Sequence, residues 1–286
     1  MIPAQFDYVA PTTLDEAVRL LADRADDAKI LAGGHSLLPA MKLRLAQPAL
    51  LVDIGRIRDL SYITAENGHI RIGAMTTHYA IESSIELAER CPLLPETAAH
   101  IGDIQVRNKG TLGGSLVHAD PAADWPATIL ALGAELVVVG PSGERTVAAD
   151  DFFVDMMTTA IEPNEILREI RIPSARAGLG SAYVKVRQPA SGFAVVGVAV
   201  CVARAADGTC EEARVGVTGI ASKAFRATGV ERALVGASFD KLDAAAALVD
   251  DGVDVNGDLY ASADYRRHLA RVYTRRAIEA AAAKAQ

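Results

Sequence analysis

Residues 29 to 45 read KILAGGHSLLPAMKLRL, a short apolar run that stops at two adjacent glycines and restarts with helical spacing. A strand, a glycine turn and a helix in that order require the backbone at Gly33 and Gly34 to approach a neighbour closely or to adopt angles that other residues resist. Two chemistries use this shape. Gly-His-Ser can open the nucleophile elbow of a serine hydrolase, but the pattern G-x-S-x-G needs glycine two residues after the serine, where this chain has Leu38. The other is a turn whose backbone N–H groups face an anion. A second stretch, RNKGTLGGSLVHADPAADWPA at 107 to 127, again sets Gly-Gly ahead of a serine and a helical pattern. One Gly-Gly turn is usually only a turn; two in one domain, with hydroxyls alongside, favour a phosphate or pyrophosphate held from both sides. The Rossmann pattern G-x-G-x-x-G and the P-loop G-x-x-x-x-G-K-[ST] are both absent.

With 286 residues the chain has room for two domains at about 150 residues each. A net charge of -7 argues against nucleic acid, whose binding rests on clustered Lys and Arg. The basic run YRRHLARVYTRR spreads its charges along a helix and reads as a solvated or partner-facing surface. The longest apolar run, 193 to 203, is shorter than the roughly 18 residues of a membrane span and reads as a buried strand. The first basic residue is Arg19 and no apolar export segment precedes it, so a cytoplasmic location is expected. Cys91, Cys201 and Cys210 are scattered and make no C-x-x-C pair, so the chain lacks the usual four-cysteine zinc or iron–sulfur site. The six histidines show no H-E-x-x-H or comparable ligand spacing, and no metal site is expected.

Along the chain the patterns alternate in an α+β order. FDYVA is a strand, TLDEAVRLLAD a helix with Thr13 and Glu16 at capping-box spacing, and KILAG and ALLVDI are strands. Asn67-Gly68 marks a hairpin within LSYITAENGHIRIG. Residues 76 to 132 read mostly as helix, followed by strands in AELVVVG, ERTV and EILREIRIP. A boundary is placed in IPSARAGLGS, giving units 1–177 and 178–286. The second unit reads as an antiparallel meander (AYVKVRQ, FAVVGVAVCVA, EARVGVTGI) and then helices through ALVGASF, LDAAAALVD and the C-terminal segment.

AGGHSLLPAMKLR, VRNKGTLGGSLVHADPAADWPA and ASADYRRHLARVYTRRA, with 78 residues from Gly33 to Thr111, together resemble the FAD-binding medium subunit of the molybdenum hydroxylase (xanthine dehydrogenase) family, closest to the carbon monoxide dehydrogenase branch. The resemblance runs the length of the chain. It implies a vanillyl-alcohol-oxidase-type (PCMH) FAD-binding fold, in which an N-terminal domain of two α+β subdomains holds the nucleotide and a C-terminal antiparallel sheet with helices helps to cover the flavin.

Position by position, the resemblance assigns Ala32, Gly33, Gly34, His35 and Ser36 to the first pyrophosphate loop and Thr111, Gly113, Gly114 and Ser115 to the second. It makes Asp124 an acceptor for sugar or ribityl hydroxyls, against the alternative of a surface helix cap. Lys185 falls beside the flavin ring, where a cation favours the reduced anion, against the alternative of a solvated strand lysine. Phe193 falls where the family can place a residue over the ring, against a plain strand start. Trp125 reads as packing. His35 could anchor flavin covalently, but the resemblance points to noncovalent FAD.

The implied function is electron relay. The family supplies its [2Fe–2S] clusters on a small subunit and its molybdenum pterin on a large one, so this chain would pass electrons from the near cluster to an external acceptor, a membrane quinone being the expected one. The expected assembly is a dimer of heterotrimers that associates with the membrane through the complex. Rival readings are a stand-alone FAD oxidase or reductase of the same fold, the flavin subunit of a heterocycle-oxidising hydroxylase, and a binding subunit that has lost its cofactor.

Overall fold

The computed structural model describes residues 1–24, 27–174, 178–240 and 242–286. The chain starts with a three-stranded parallel sheet, β1 (Asp7–Val9), β2 (Ala28–Leu31) and β3 (Leu50–Asp53), in the order β1-β3-β2. Its connections are α1 (Leu14–Asp23) and α2 (Leu37–Lys42). Thr13 caps α1 by accepting from the Glu16 N–H, while the Glu16 carboxylate accepts from Thr12 rather than from Thr13. The capping box is therefore present but displaced by one donor. Ala17, Val18 and Leu21 pack from α1 onto Leu50 and Val52.

The hairpin expected at Asn67-Gly68 joins β4 (Ile63–Glu66) and β5 (His69–Gly73), and both turn residues have positive φ, 51° and 76°, as a type I′ turn requires. Six helices follow, α3 (His78–Glu82), α4 (Ile85–Arg90), α5 (Leu93–Ala99), α6 (Ile104–Lys109), α7 (Leu112–His118) and α8 (Asp124–Leu132). β6 (Glu135–Gly140), β7 (Gly143–Ala148), α9 (Ala149–Phe152), the small hairpin β8 (Phe153–Asp155) and β9 (Thr158–Thr159), and β10 (Ile166–Pro173) complete this part. They close a five-stranded antiparallel sheet in the order β4-β5-β10-β6-β7. The boundary expected at 177/178 falls next to residues 175–177, which lie outside the described residues.

The third sheet is antiparallel, β11 (Gly180–Arg187), β12 (Ala194–Arg204), β13 (Cys210–Thr218) and β14 (Phe225–Arg226) in that order. β12 is buried at every position from Ala194 to Ala203 because helices cover both of its faces, α8 on one and α12 (Ala263–Ala282) on the other. That double cover is why its sequence is an unbroken apolar run. Helices α10 (Thr228–Leu234) and α11 (Asp243–Ala246) complete the C-terminal part. The helix expected in ALVGASF lies earlier: α10 ends at Leu234, and Gly236 has φ of 80°, which turns the chain instead. The C-terminal basic helix also differs from expectation at Arg266, which is buried and donates to the carbonyls of Val195 and Gly219 and to Asp258. No helix among the described residues is long and apolar enough to cross a membrane.

Candidate functional site

The two glycine stretches meet in space. A Cβ on Gly33 would stand 2.3 Å from the Lys109 carbonyl oxygen and 2.8 Å from the Gly110 Cα, so glycine is demanded here by the second stretch itself. A Cβ on Gly114 would lie 3.4 Å from the Ala32 Cβ, which brings the other ends of the two loops together. Gly34 has φ of +78°, a conformation that L side chains resist.

The loops differ in what they present. In the first, the carbonyls of Gly34 and Ser36 accept from Leu38 and Ala40 as α2 begins. The N–H groups of Gly33, Gly34, His35 and Ser36 find no acceptor among the described residues, and the Ser36 hydroxyl makes no capping bond. His35 and Ser36 are exposed. Successive open donors in a turn are the kind of arrangement that can take an anion.

In the second loop the corresponding donors are committed inside the fold. Leu112 donates to Thr76 O, Gly113 to Ala74 O, Gly114 to Thr111 Oγ1 and Ser115 to Thr111 O, at 2.9 to 3.1 Å. The expectation that both stretches expose successive N–H groups is corrected accordingly. Gly113 is there because a Cβ would stand 2.5 Å from the Ala74 Cβ. The second loop contributes shape and the half-buried Ser115, while Thr111 is buried and its oxygen caps α7.

Asp124 stands in the first turn of α8 and is 5% exposed, so it is no surface cap; the cap position belongs to Ala123. Its carboxylate accepts from the Tyr183 hydroxyl at 2.5 Å and pairs with Lys185 Nζ at 2.8 Å. Lys185 also donates to the His100 carbonyl at 3.1 Å, and its side chain is 1% exposed, which corrects the solvated alternative. Burial pushes the Asp124 carboxyl up and the Lys185 ammonium down, and each partner pulls the other back towards its charged form. Lys185 thus stands in an ion pair with Asp124. Tyr183, missed in the sequence, sits two residues before Lys185 on β11 and so shares its face. Phe193 precedes β12 and is 41% exposed, free of the apolar strand it introduces.

Trp125 packs fully buried, as expected, and its indole N–H donates to Nδ1 of His78 at 3.0 Å. His78 is a second residue that the sequence did not single out. It opens α3 after the Thr77 cap, and its backbone N–H donates to the Gly110 carbonyl, which ties it to the second loop. Burial lowers its pKa to about 4, aided by His35 and Arg107. The ring is therefore neutral near neutral pH, with its proton on Nε2, because indole can only donate.

Residues 4–175 match the family described as the FAD binding domain in molybdopterin dehydrogenase, and residues 181–281 match the CO dehydrogenase flavoprotein C-terminal domain. The carbon monoxide dehydrogenase medium chain of Hydrogenophaga pseudoflava is 43% identical, with 99% of each chain covered. That of Afipia carboxidovorans is 42% identical over all of both chains. In the solved structure of the Hydrogenophaga pseudoflava enzyme that lacks the Mo-pyranopterin moiety of its cofactor, a chain 44% identical matches with a TM-score of 0.97 and 100% coverage of both chains. The α+β fold expected from the sequence is thus that of this flavoprotein. The chain belongs to the FAD-binding medium-subunit family of the molybdenum hydroxylases.

Proposed function

We propose that this chain is the FAD subunit of an aerobic carbon monoxide dehydrogenase, relaying electrons from a [2Fe–2S] small subunit to an external acceptor while a large molybdenum subunit oxidises the substrate. The observation that carries the cofactor half of this reading is the run of four unpartnered N–H groups from Gly33 to Ser36, a receptor suited to a pyrophosphate. End-to-end similarity to two carbon monoxide dehydrogenase medium chains supports the choice of complex. Bound FAD supplies the means to take electrons singly and release them in pairs.

The residues divide the work of holding it. Ala32, Gly33, Gly34, His35 and Ser36 bind the pyrophosphate, and Thr111, Gly113, Gly114 and Ser115 shape the opposite wall. Asp124 and Lys185 form the polar floor towards the ribityl chain and ring, held in place by Tyr183. Phe193 stands exposed at the mouth and covers the ring. The cofactor is noncovalent, His35 serving the loop. The complex is a dimer of heterotrimers, and its acceptor is a membrane quinone. A boundary between residues 177 and 178 separates the cofactor-binding unit from its cover.

The test is co-expression with the iron–sulfur and molybdenum subunits, and purification of the chain alone. The chain should show flavin bands without iron–sulfur absorption, should release all its flavin on acid precipitation, and should not oxidise carbon monoxide; the complex should reduce a quinone analogue with carbon monoxide. A complex that takes a heterocycle but not carbon monoxide overturns the choice of substrate. Oxidation of any such substrate by the chain alone overturns the relay.

A further inference from the structure

His78 holds a donor that the fold does not use. The residue is 4% exposed, and Trp125 occupies Nδ1. Since a neutral imidazole bears one proton, that proton is on Nε2, and Nε2–H has no acceptor among the described residues. The Nε2 atom keeps a little open surface in a residue that is otherwise covered, and the surroundings show where its acceptor belongs. A Cβ on Gly110 would stand 2.6 Å from Nε2, so the absence of a side chain at Gly110 is what gives the ring edge its room. Gly110 is also the residue against which Gly33 packs. The Nε2 edge therefore lies beneath the contact between the two loops, close enough to His35 for that residue to help lower the His78 pKa.

We propose that His78 is a further ligand-binding residue, donating its Nε2–H to a phosphate oxygen held between the two glycine loops. This rests on the FAD reading above and deepens it. The indole of Trp125 serves as the positioning group: by donating to Nδ1 it fixes the tautomer that makes Nε2 the donor. The arrangement adds a directional side-chain donor from α3 to the N–H groups of the first loop. It also gives the second loop, whose own donors are committed, a polar contact with the anion.

The experiment uses the full chain titrated with FAD, and with ADP, which carries the pyrophosphate without the flavin. His78→Asn places an amide oxygen where Nδ1 accepts from Trp125 and removes the Nε2 donor, whereas His78→Gln places an amide N–H near Nε2. Loss of a hydrogen bond to a charged oxygen is expected to weaken both ligands by about 10- to 100-fold in His78→Asn, with His78→Gln recovering most of it. Because a substituted core may fold poorly, nitrogen-15 spectra of the wild-type chain provide a second reading. The His78 Nε2–H should become slow to exchange and couple to phosphorus when either ligand binds. Binding of FAD and ADP by His78→Asn at wild-type affinity, or an Nε2–H that stays uncoupled in the saturated wild-type chain, overturns the proposal. A wild-type chain that binds neither ligand would instead overturn the FAD reading beneath it.

Discussion

At His78 the side chain does two things that the sequence could not display together. Sole tryptophans and lone histidines read as packing in a linear chain, and both are indeed buried; only the fold shows that the indole of Trp125 needs an acceptor and that His78 supplies it. The depressed pKa also makes a prediction about stability. Between its ordinary value of 6.5 and about 4, the unfolded chain binds a proton on this residue that the folded chain refuses. Stability must therefore rise with pH through that window and fall as the solution is acidified. From pH 7 to pH 5 this one group removes about 2 kcal/mol, at about 1.4 kcal/mol per pH unit within the window. His78→Gln should flatten the urea-unfolding stability profile by that amount; equal slopes for the two proteins would mean that the ring titrates freely. Glycines were more legible than side chains, because a doubled glycine announces a backbone demand. Their reasons were not. The neighbours that Gly33 approaches are Lys109 and Gly110, which the sequence does not name.

Elements were readable where a local rule decides them. The Thr13 cap, the Asn67-Gly68 turn and the apolar run of β12 depend on a few adjacent residues, and each lies where the pattern placed it. α10 and the segment after it were not readable, because ALVGASF carries apolar spacing with a glycine that the fold uses at positive φ. The α7 start was legible as a glycine loop but not as a capped helix. There Thr111 accepts from Gly114, and a bridge pairs it with Thr77 across the site. Thr111→Val keeps the volume and removes the capping oxygen, leaving the Gly114 N–H without its partner. The expected loss is about 1 kcal/mol in urea unfolding, together with weaker FAD retention as the second wall loosens. Unchanged stability would show that the Gly114 donor finds another acceptor and that the cap is dispensable.

On the scale of the whole molecule, the two stretches of sequence that match separate families are not separate in energy. α8 belongs to the first and packs on the sheet of the second, where Thr218 Oγ1 shares its one proton between the carbonyls of Pro121 and Ala123, and the Ala194 N–H donates to that of Ala122. Leu93, Ala127 and Ala131 share a core with Tyr183, Ala199 and Cys201. The approach is closest at Gly216, where a Cβ would stand 2.0 Å from the Ala127 carbonyl oxygen. Gly216→Ala must push α8 off the sheet, at about 1 to 3 kcal/mol for an overpacked contact. Calorimetry should find one unfolding transition in the wild type and one, at lower temperature, in the variant; two transitions in the wild type would mean that the halves unfold independently.

That seam bears on how such proteins can diverge. A junction near residue 178 looks like a natural place for exchanging parts between relatives, since it separates the two matched regions. Yet Asp124 and Lys185 lie on opposite sides of it, as do Ala127 and Gly216. A hybrid made by joining the front of one relative to the back of another inherits each half of these pairs from a different parent. Where one parent has altered its glycine, or moved its lysine, the hybrid contains either a collision or a buried charge alone. Recombination at this point is therefore open only between parents that agree at a handful of positions far apart in sequence, and the two ends of the gene must change in step.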